Sequence, residues 1–202
     1  MKMIIAVTFF GILKFAFAEY PPDTTECLNL EDYENFNSAK FLKGVWYVTH
    51  ARYGSNSTVC REYKTRLRKN GAIIIVANGY YNFGGQPRYY RVRCEGTKKQ
   101  ENGKLSLNCK QHSHDRENKI NFNFQLDLSV VETDYDKFAV IYTCAKFLAN
   151  SEPFVEDNLL ILHRDKDNDN SGVETILQLY DSTLQKFLSR KDSTCLPSPV
   201  KN

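Results

Sequence analysis

Four side chains have the chemistry to hold an acidic, lipid-like molecule: His50, Arg61, Tyr63 and Tyr80. An arginine can pair with a carboxylate through two parallel hydrogen bonds, and an imidazole and two phenols can add further polar contacts. An apolar interior beside these groups could take the hydrocarbon tail of the same molecule. The four residues are therefore a candidate ligand-binding set.

Alternation along strands is the reason for grouping these residues. Side chains of a β-strand point to opposite faces in turn, so a buried Trp46 predicts that Val48 and His50 face the interior as well. The same count places residues of the next two strands inside, as two sets: Arg61, Tyr63 and Leu67, then Ile74, Val76 and Tyr80. The alternative is that Arg61 extends to water at the rim and that His50 is a hydrogen-bonded core residue.

The six cysteines indicate disulfide chemistry. An even number of cysteines in a secreted chain is typical of a disulfide framework, here of three bonds with fifteen possible connectivities. A structural zinc site is the alternative, but the sequence has no C-x-x-C and its histidines are not interleaved at ligand spacing. The cysteines are Cys27, Cys60, Cys94, Cys109, Cys144 and Cys195.

Other polar clusters are more typical of turns and solvated faces than of catalysis or metal binding. His112 and His114 could hold a metal ion, but a polar loop explains them equally well. Acidic residues at 132–136 and 165–169 resemble a calcium loop but lack EF-hand spacing, so we expect turn chemistry and no metal site. The sequence has no Gly-x-Ser-x-Gly, His-Glu-x-x-His or Walker motif, and we therefore do not expect an enzyme.

Charge gives no sign of a polyanionic or membrane partner. The chain has 27 Lys and Arg against 24 Asp and Glu, and no dense basic run. Tyrosines and arginines are interleaved at 88–93, but a strand with one solvated face gives the same pattern. We therefore expect no nucleic acid and no membrane partner, and a monomeric protein.

Residues 1–18 have the features of a secretory signal peptide. A positive start precedes the apolar segment Met3–Leu13, and Ala16-Phe17-Ala18 is a small-residue cleavage site. The apolar segment is too short to span a membrane. We therefore expect a secreted protein in which residues 19–202 form one domain. The sequon Asn56-Ser57-Thr58 predicts N-glycosylation at Asn56.

Eight strands are predicted from alternating and β-branched segments separated by turn signals and polar loops, one of which covers residues 111–118. Short connections between an even number of strands favour an up-and-down antiparallel barrel over a sandwich. The predicted strands are Trp46–Ala51, Cys60–Arg68, Ala72–Tyr81, Arg88–Cys94, Lys104–Lys110, Lys119–Val131, Phe138–Ala145 and Asn158–Arg164.

The sequence period changes after the eighth strand. Apolar residues recur at helical spacing over Ser171–Arg190, and Ser171 and Glu174 can form a capping box. The predicted fold class is therefore all-β: an eight-stranded antiparallel barrel with one C-terminal α-helix packed outside. A barrel of this size is just wide enough to hold one small ligand.

Three short motifs make the chain resemble a lipocalin. Gly44-x-Trp46 matches the first-strand signature of that superfamily, and Thr133-Asp134-Tyr135 matches the second, before the seventh strand. Arg164 stands where an arginine packs over the tryptophan, which would plug the closed end of the barrel. Longer segments resemble salivary lipocalins of blood-feeding triatomine bugs, in the triabin and pallidipin group: residues 1–8, 46–50 and 59–65.

This resemblance implies a cysteine pairing and a barrel without a cofactor. Relatives join the N-terminal arm to the seventh strand and the second strand to the C-terminal tail. That layout implies Cys27–Cys144 and Cys60–Cys195, and leaves Cys94–Cys109 as the third pair. In the related nitrophorins a third-strand histidine holds haem, whereas Tyr80 falls nearest that position here, so we expect no haem.

The resemblance also implies secretion into saliva, where the protein would impair host haemostasis. One implied activity is sequestration of a small platelet agonist, such as a thromboxane-like eicosanoid, ADP or a biogenic amine, which would inhibit platelet aggregation. A second is inhibition of a host coagulation protein, thrombin or a contact-pathway factor, through the loops. A salivary lipocalin without a ligand is the third possibility. The loops in question are 52–59, 82–88, 111–118 and 146–157.

Overall fold

The computed structural model describes residues 26–83, 86–97, 102–114, 121–148, 153–168, 172–180 and 182–199. The predicted signal peptide, the Gly84-Gly85 turn and Ser171 lie outside these residues. None of the helices in the described ranges is long and apolar enough to cross a membrane.

Antiparallel strands form a closed ring, which confirms the predicted barrel. Each strand pairs with its neighbours in the order β1-β2-β3-β5-β6-β7-β8-β9, and β1 also pairs with β9 to close the sheet. The predicted third strand is divided into β3 and β4, which both pair with β5 and occupy one of eight positions around the ring. The strands are β1 Lys43–Ala51, β2 Glu62–Leu67, β3 Ala72–Val76, β4 Gly79–Phe83, β5 Gln86–Thr97, β6 Lys104–Ser113, β7 Asn121–Thr133, β8 Phe138–Leu148, β9 Pro153–His163 and β10 Leu188–Ser189.

A tryptophan and an arginine close one end of the barrel. Trp46 is completely buried, and its indole N–H donates to the carbonyl of Phe41, in the short helix α1 Ser38–Phe41. The guanidinium of Arg164 lies 3.4 Å from the Trp46 ring centroid and donates to the carbonyls of Lys43 and Val45 at 2.6 and 3.1 Å. Gly44, between those two carbonyls, has φ +82°, a conformation that L side chains rarely adopt.

Three disulfides join the pairs that the family resemblance implies. Cys27–Cys144 and Cys60–Cys195 attach the N-terminal arm and the C-terminal tail to the outside of the barrel. Cys94–Cys109 joins directly opposed residues of β5 and β6, and both cysteines are buried among the interior side chains. Disulfides of this number fit an oxidising, extracellular compartment.

The C-terminal helix packs outside the barrel, as predicted, but it is much shorter than Ser171–Arg190. Helix α3 runs only from Val173 to Gln178, and a 3-10 turn at Leu184–Lys186 and strand β10 follow. β2 pairs only with the first half of β1, so the end of β1 is free to pair with β10. The apolar stripe that predicted a long helix is still buried, because Val173, Leu177 and Phe187 belong to one outer cluster against β8 and β9.

Candidate ligand-binding cavity

The barrel contains a cavity of about 200 Å³ that opens at one end. Inward-facing residues of β3 to β9 form most of its wall, and the disulfide-bonded Cys94 is among them. The wall is largely apolar, which suits a hydrocarbon group. Its aliphatic residues are Ile75, Ala77, Val92, Leu126, Leu128, Ala145 and Leu160.

Arg61 brings a positive charge to this apolar wall. The residue immediately precedes β2, and its guanidinium carbon lies 3.9 Å from the centroid of the Tyr81 ring. The stem of Arg61 packs next to Gly79, where a Cβ would lie in ordinary van der Waals contact, 3.4 Å from Arg61 Cγ. Among the described residues, the buried Nε of Arg61 has no hydrogen-bond partner. The site therefore contains a guanidinium held on the Tyr81 ring, with a buried Nε that lacks a partner among the described residues.

Two tyrosines beside Arg61 remain neutral phenols near neutral pH. Burial raises the pKa of Tyr81 to about 12, although the charge of Arg61 acts in the opposite direction. Burial likewise raises the pKa of Tyr63, again partly offset by Arg61. The Tyr81 hydroxyl donates to the carbonyl of Ala77 at 2.9 Å, which fixes the ring on which Arg61 stacks.

Glu156 places a carboxylate at the mouth of the same cavity. Its side chain is exposed, yet the surrounding protein atoms reduce its hydration and raise its pKa, while the charge of Arg61 lowers it to a smaller extent. Arg61 and Glu156 therefore influence each other electrostatically. An anionic ligand at Arg61 would be repelled by Glu156 as long as that carboxyl is ionised.

An aromatic ladder leads from the cavity to the solvent. The rings of Phe124 and Phe147 have centroids 5.1 Å apart, and those of Phe147 and Phe154 are 4.7 Å apart and almost parallel. Phe154 is 46% exposed and Phe122, also on the wall, is 36% exposed. Exposed rings that continue an apolar cavity offer contact area for a ligand longer than the cavity itself.

The wall also contains polar side chains that the sequence analysis did not select. Asn158 is occupied by the backbone of Tyr53, from which it accepts at 3.1 Å and to which it donates at 2.8 Å. Gln111 is only 4% exposed, and its amide nitrogen has no hydrogen-bond partner among the described residues. We predicted a loop from residue 111, but β6 extends to Ser113. The alternation Leu105, Leu107, Cys109 was the signal that continues to Gln111.

His50 does not reach the cavity, and a β-bulge is the reason. In the pairing of β1 with β9, Val48 is opposite Leu162 but His50 is opposite Ile161, so the register shifts between them. The extra residue reverses the alternation, and Ala51 packs in the interior core. His50 is buried elsewhere, with Nδ1 3.2 Å from Thr49 Oγ1, which agrees with the alternative reading of a hydrogen-bonded core histidine.

Tyr80 also lies outside the cavity. The sequence analysis expected Ile74, Val76 and Tyr80 to face inward, but the alternate residues of this segment do so. Ile75 is opposite the inward-facing Cys94, so Ile75, Ala77 and Tyr81 face the cavity. The Tyr80 hydroxyl instead donates to the carbonyl of Pro197 in the C-terminal tail at 3.1 Å. Of the four candidate residues, the structure brings Arg61 and Tyr63 together in the cavity wall, and Tyr81 takes the place expected for Tyr80.

The remaining polar motifs have local structural partners. Asp134 Oδ1 accepts from the backbone N–H groups of Lys137 and Phe138 at 2.8 and 2.9 Å, which is turn chemistry. Asn56 is exposed at the start of the short helix α2 Asn56–Val59, and its glycosylation stays a prediction. The described residues contain no group of three or more His, Cys, Asp or Glu placed to hold a metal ion.

Curated relatives match almost the whole chain. Triafestin-2 of Triatoma infestans is 45% identical, with 100% of this chain and 98% of the relative covered. Pallidipin of Meccus pallidipennis is 32% identical, with 96% and 98% covered. Platelet inhibitor triplatin-2 of Triatoma infestans is 29% identical, with 96% and 100% covered.

Solved structures show the same fold. A biogenic amine-binding protein superimposes with a TM-score of 0.62 at 19% identity, covering 82% of this chain and 86% of that chain. A protein solved in complex with leukotriene C4 has a TM-score of 0.54 at 25% identity, covering 82% of this chain and 92% of that chain.

These matches confirm the resemblance to triatomine salivary lipocalins on which the cysteine pairing was predicted. They also agree with the absence of catalytic motifs, since proteins of this family bind ligands or inhibit other proteins. The family model described as Triabin matches residues 16–176. The chain therefore belongs to the Triabin family.

Proposed function

We propose that this protein is secreted in saliva and sequesters an acidic, eicosanoid-type lipid, of which thromboxane is the type, and so inhibits platelet aggregation. Arg61 is the observation that carries the proposal. Its guanidinium is held on the Tyr81 ring at 3.9 Å, at the edge of an apolar cavity, with Nε unpaired among the described residues. A carboxylate can satisfy this group, because arginine binds carboxylates bidentately.

The cavity suits a tail, and the mouth suits the rest of the ligand. About 200 Å³ is less than the roughly 300–1,000 Å³ of most drug-sized sites, so a long chain would extend past the cavity. The exposed rings of Phe122 and Phe154 continue the apolar wall at that point. Each methylene buried there contributes about 0.8 kcal/mol, and the charged head cannot be buried without a partner.

Similar proteins also support a lipid ligand and an effect on platelets. One is named a platelet inhibitor, and one solved neighbour holds leukotriene C4, which is an acidic eicosanoid. Amines are a less suitable class for this chain, because the cation at Arg61 would repel them. Among the described residues that line the cavity, Glu156 and Asp157 are the carboxylates that could favour an amine.

A protein-binding inhibitor of thrombin or a contact-pathway factor is the second candidate. The observation in its favour is the loop between β1 and β2, which is ordered by helix α2 and tied by Cys60–Cys195 to the tail. A loop held in this way can present a fixed surface to a partner. In this case the cavity would not be needed for activity.

Calorimetry and platelet assays on the same preparation separate these functions. We expect heat of binding with a stable thromboxane mimic, little with serotonin or ADP, and inhibition of aggregation triggered by the mimic. The absence of heat with the mimic would end the proposal for this lipid class. A prolonged clotting time in a preparation that binds no lipid would support the second candidate instead.

A further inference from the structure

Gln111 is a buried amide without a protein partner in the wall of the ligand cavity. Gln111 is only 4% exposed, and its Nε2 has no hydrogen-bond partner among the described residues. Leaving such a group unpaired inside a protein is costly, and the cost is removed if a bound molecule supplies the partner. Apolar neighbours surround it: Val92 is opposite on β5, and Phe122 is opposite on β7.

The position of Gln111 separates its role from that of Arg61. Arg61 precedes β2 and Gln111 lies on β6, three strand positions away in a ring of eight. Two strand positions therefore separate the backbones of these residues, and both side chains line the same cavity. A ligand whose carboxylate is bound by Arg61 would present to Gln111 a part of its chain remote from that carboxylate.

We propose that Gln111 recognises an oxygen function on the hydrocarbon part of the ligand, so that the cavity prefers oxygenated fatty acids to plain fatty acids of the same length. This inference rests on the proposed function and names its ligand class more closely. A hydroxyl is the best partner, because it can accept from the amide nitrogen or donate to the amide oxygen. A plain hydrocarbon would leave the amide unpaired, and sites built around a polar group reject such analogues strongly.

The test uses stearic acid and its positional hydroxy isomers, with the stable thromboxane mimic as a reference. Calorimetry on the unmodified protein should show one isomer, or a few adjacent ones, binding about 10- to 100-fold more tightly than stearic acid, the range that an unpaired buried polar group costs. In Gln111→Met, which keeps the length of the side chain without the amide, that preference should disappear while stearic acid binds as well or better.

A matched control is Asn108→Met, which removes an amide from the outward face of the same strand and should keep the preference. Equal binding of stearic acid and all its hydroxy isomers to the unmodified protein would overturn the inference and leave the proposed function standing. If neither these acids nor the thromboxane mimic bind, the proposed function fails and the inference with it. The comparison within the unmodified protein decides the matter even if the Gln111 variant does not fold.

Discussion

The guanidinium of Arg61 stacks on the ring of Tyr81, with 3.9 Å between the guanidinium carbon and the ring centroid. The ring is in turn fixed by its hydroxyl, which donates to the carbonyl of Ala77. Stacking on an aromatic face leaves the in-plane N–H groups of a guanidinium at its edge, and Nε of Arg61 has no hydrogen-bond partner among the described residues. This arrangement makes Arg61 a pre-positioned anion receptor at the edge of an apolar cavity.

Replacing Arg61 by Ala should weaken an acidic ligand much more than a neutral one. We expect a loss of about 2–5 kcal/mol in binding free energy for the thromboxane mimic, the cost of removing one partner of a largely buried charge pair. A neutral ester of the same mimic should lose far less. Calorimetry with the acid and the ester measures both values.

The matched control is Arg66→Ala, which removes the same charge from the exposed face of β2. That variant should bind the acid as the unmodified protein does. If Arg61→Ala kept full affinity for the acid, Arg61 would have no role in the site, although lipid binding itself would stand.

Arg164→Met should reduce stability without changing ligand affinity. The arginine covers Trp46 at 3.4 Å and donates to the carbonyls of Lys43 and Val45, so its loss leaves several acceptors without a donor at the closed end. At about 1 kcal/mol for each net hydrogen bond, we expect the free energy of unfolding to fall by about 2–3 kcal/mol. Urea unfolding measures the loss, and Lys166→Met, in the exposed loop nearby, should have almost no effect. An unchanged midpoint for Arg164→Met would contradict a closing role.

Much of the fold could be predicted because short sequence patterns and the number of strands determine it. The sequence alternates clearly over 119–131, most of which became β7, whereas Arg164 over Trp46 was predicted from the lipocalin resemblance. Hydrophobic alternation is a reliable indication of a strand with one buried face. The cysteine pairing is different, since fifteen pairings were open until the family resemblance was considered.

The site was predicted less well, because a period-2 count reverses after a single irregular residue. The bulge after Val48 turns His50 away from the cavity. No residue type in that segment predicts the bulge. In the predicted third strand, Ile74 was taken to face inward, whereas Ile75 does so. A run of isoleucines does not indicate which of its alternate residues face the interior. Only the pairing of Ile75 with Cys94 across the sheet fixes this, and pairing is a tertiary property.

Removing the interior disulfide should cost less stability than removing the one that ties the tail. Cys94–Cys109 closes 15 residues and Cys60–Cys195 closes 135. In the chain-entropy model these loops correspond to about 3 and about 5 kcal/mol. Urea unfolding of the two double alanine variants gives the order. If the Cys94→Ala, Cys109→Ala variant lost more stability than the other, interior packing rather than loop closure would dominate.

Glu156 should make the binding of anions depend on pH. Protein atoms around this exposed carboxyl reduce its hydration and raise its pKa above the usual value of 4.5, so it begins to take up a proton at a higher pH than an ordinary glutamate. As the pH falls towards that pKa, the negative charge near Arg61 disappears and an anion binds more tightly. The probe should be a long-chain alkyl sulfonate, which stays anionic throughout, so that only groups on the protein titrate.

Calorimetry over a falling series of pH values should therefore show sulfonate affinity rising, by about three- to tenfold once this carboxyl is fully protonated, as expected for removal of one like charge at a partly solvated site. Glu156→Gln should bind the sulfonate more tightly at neutral pH, because the repelling charge is absent, and should show little change over the same range. Glu95→Gln, on the exposed outer face of β5, should behave as the unmodified protein does. If the pH dependence persisted in Glu156→Gln, another group would be responsible for it, and Glu156 would not be the carboxylate that opposes Arg61.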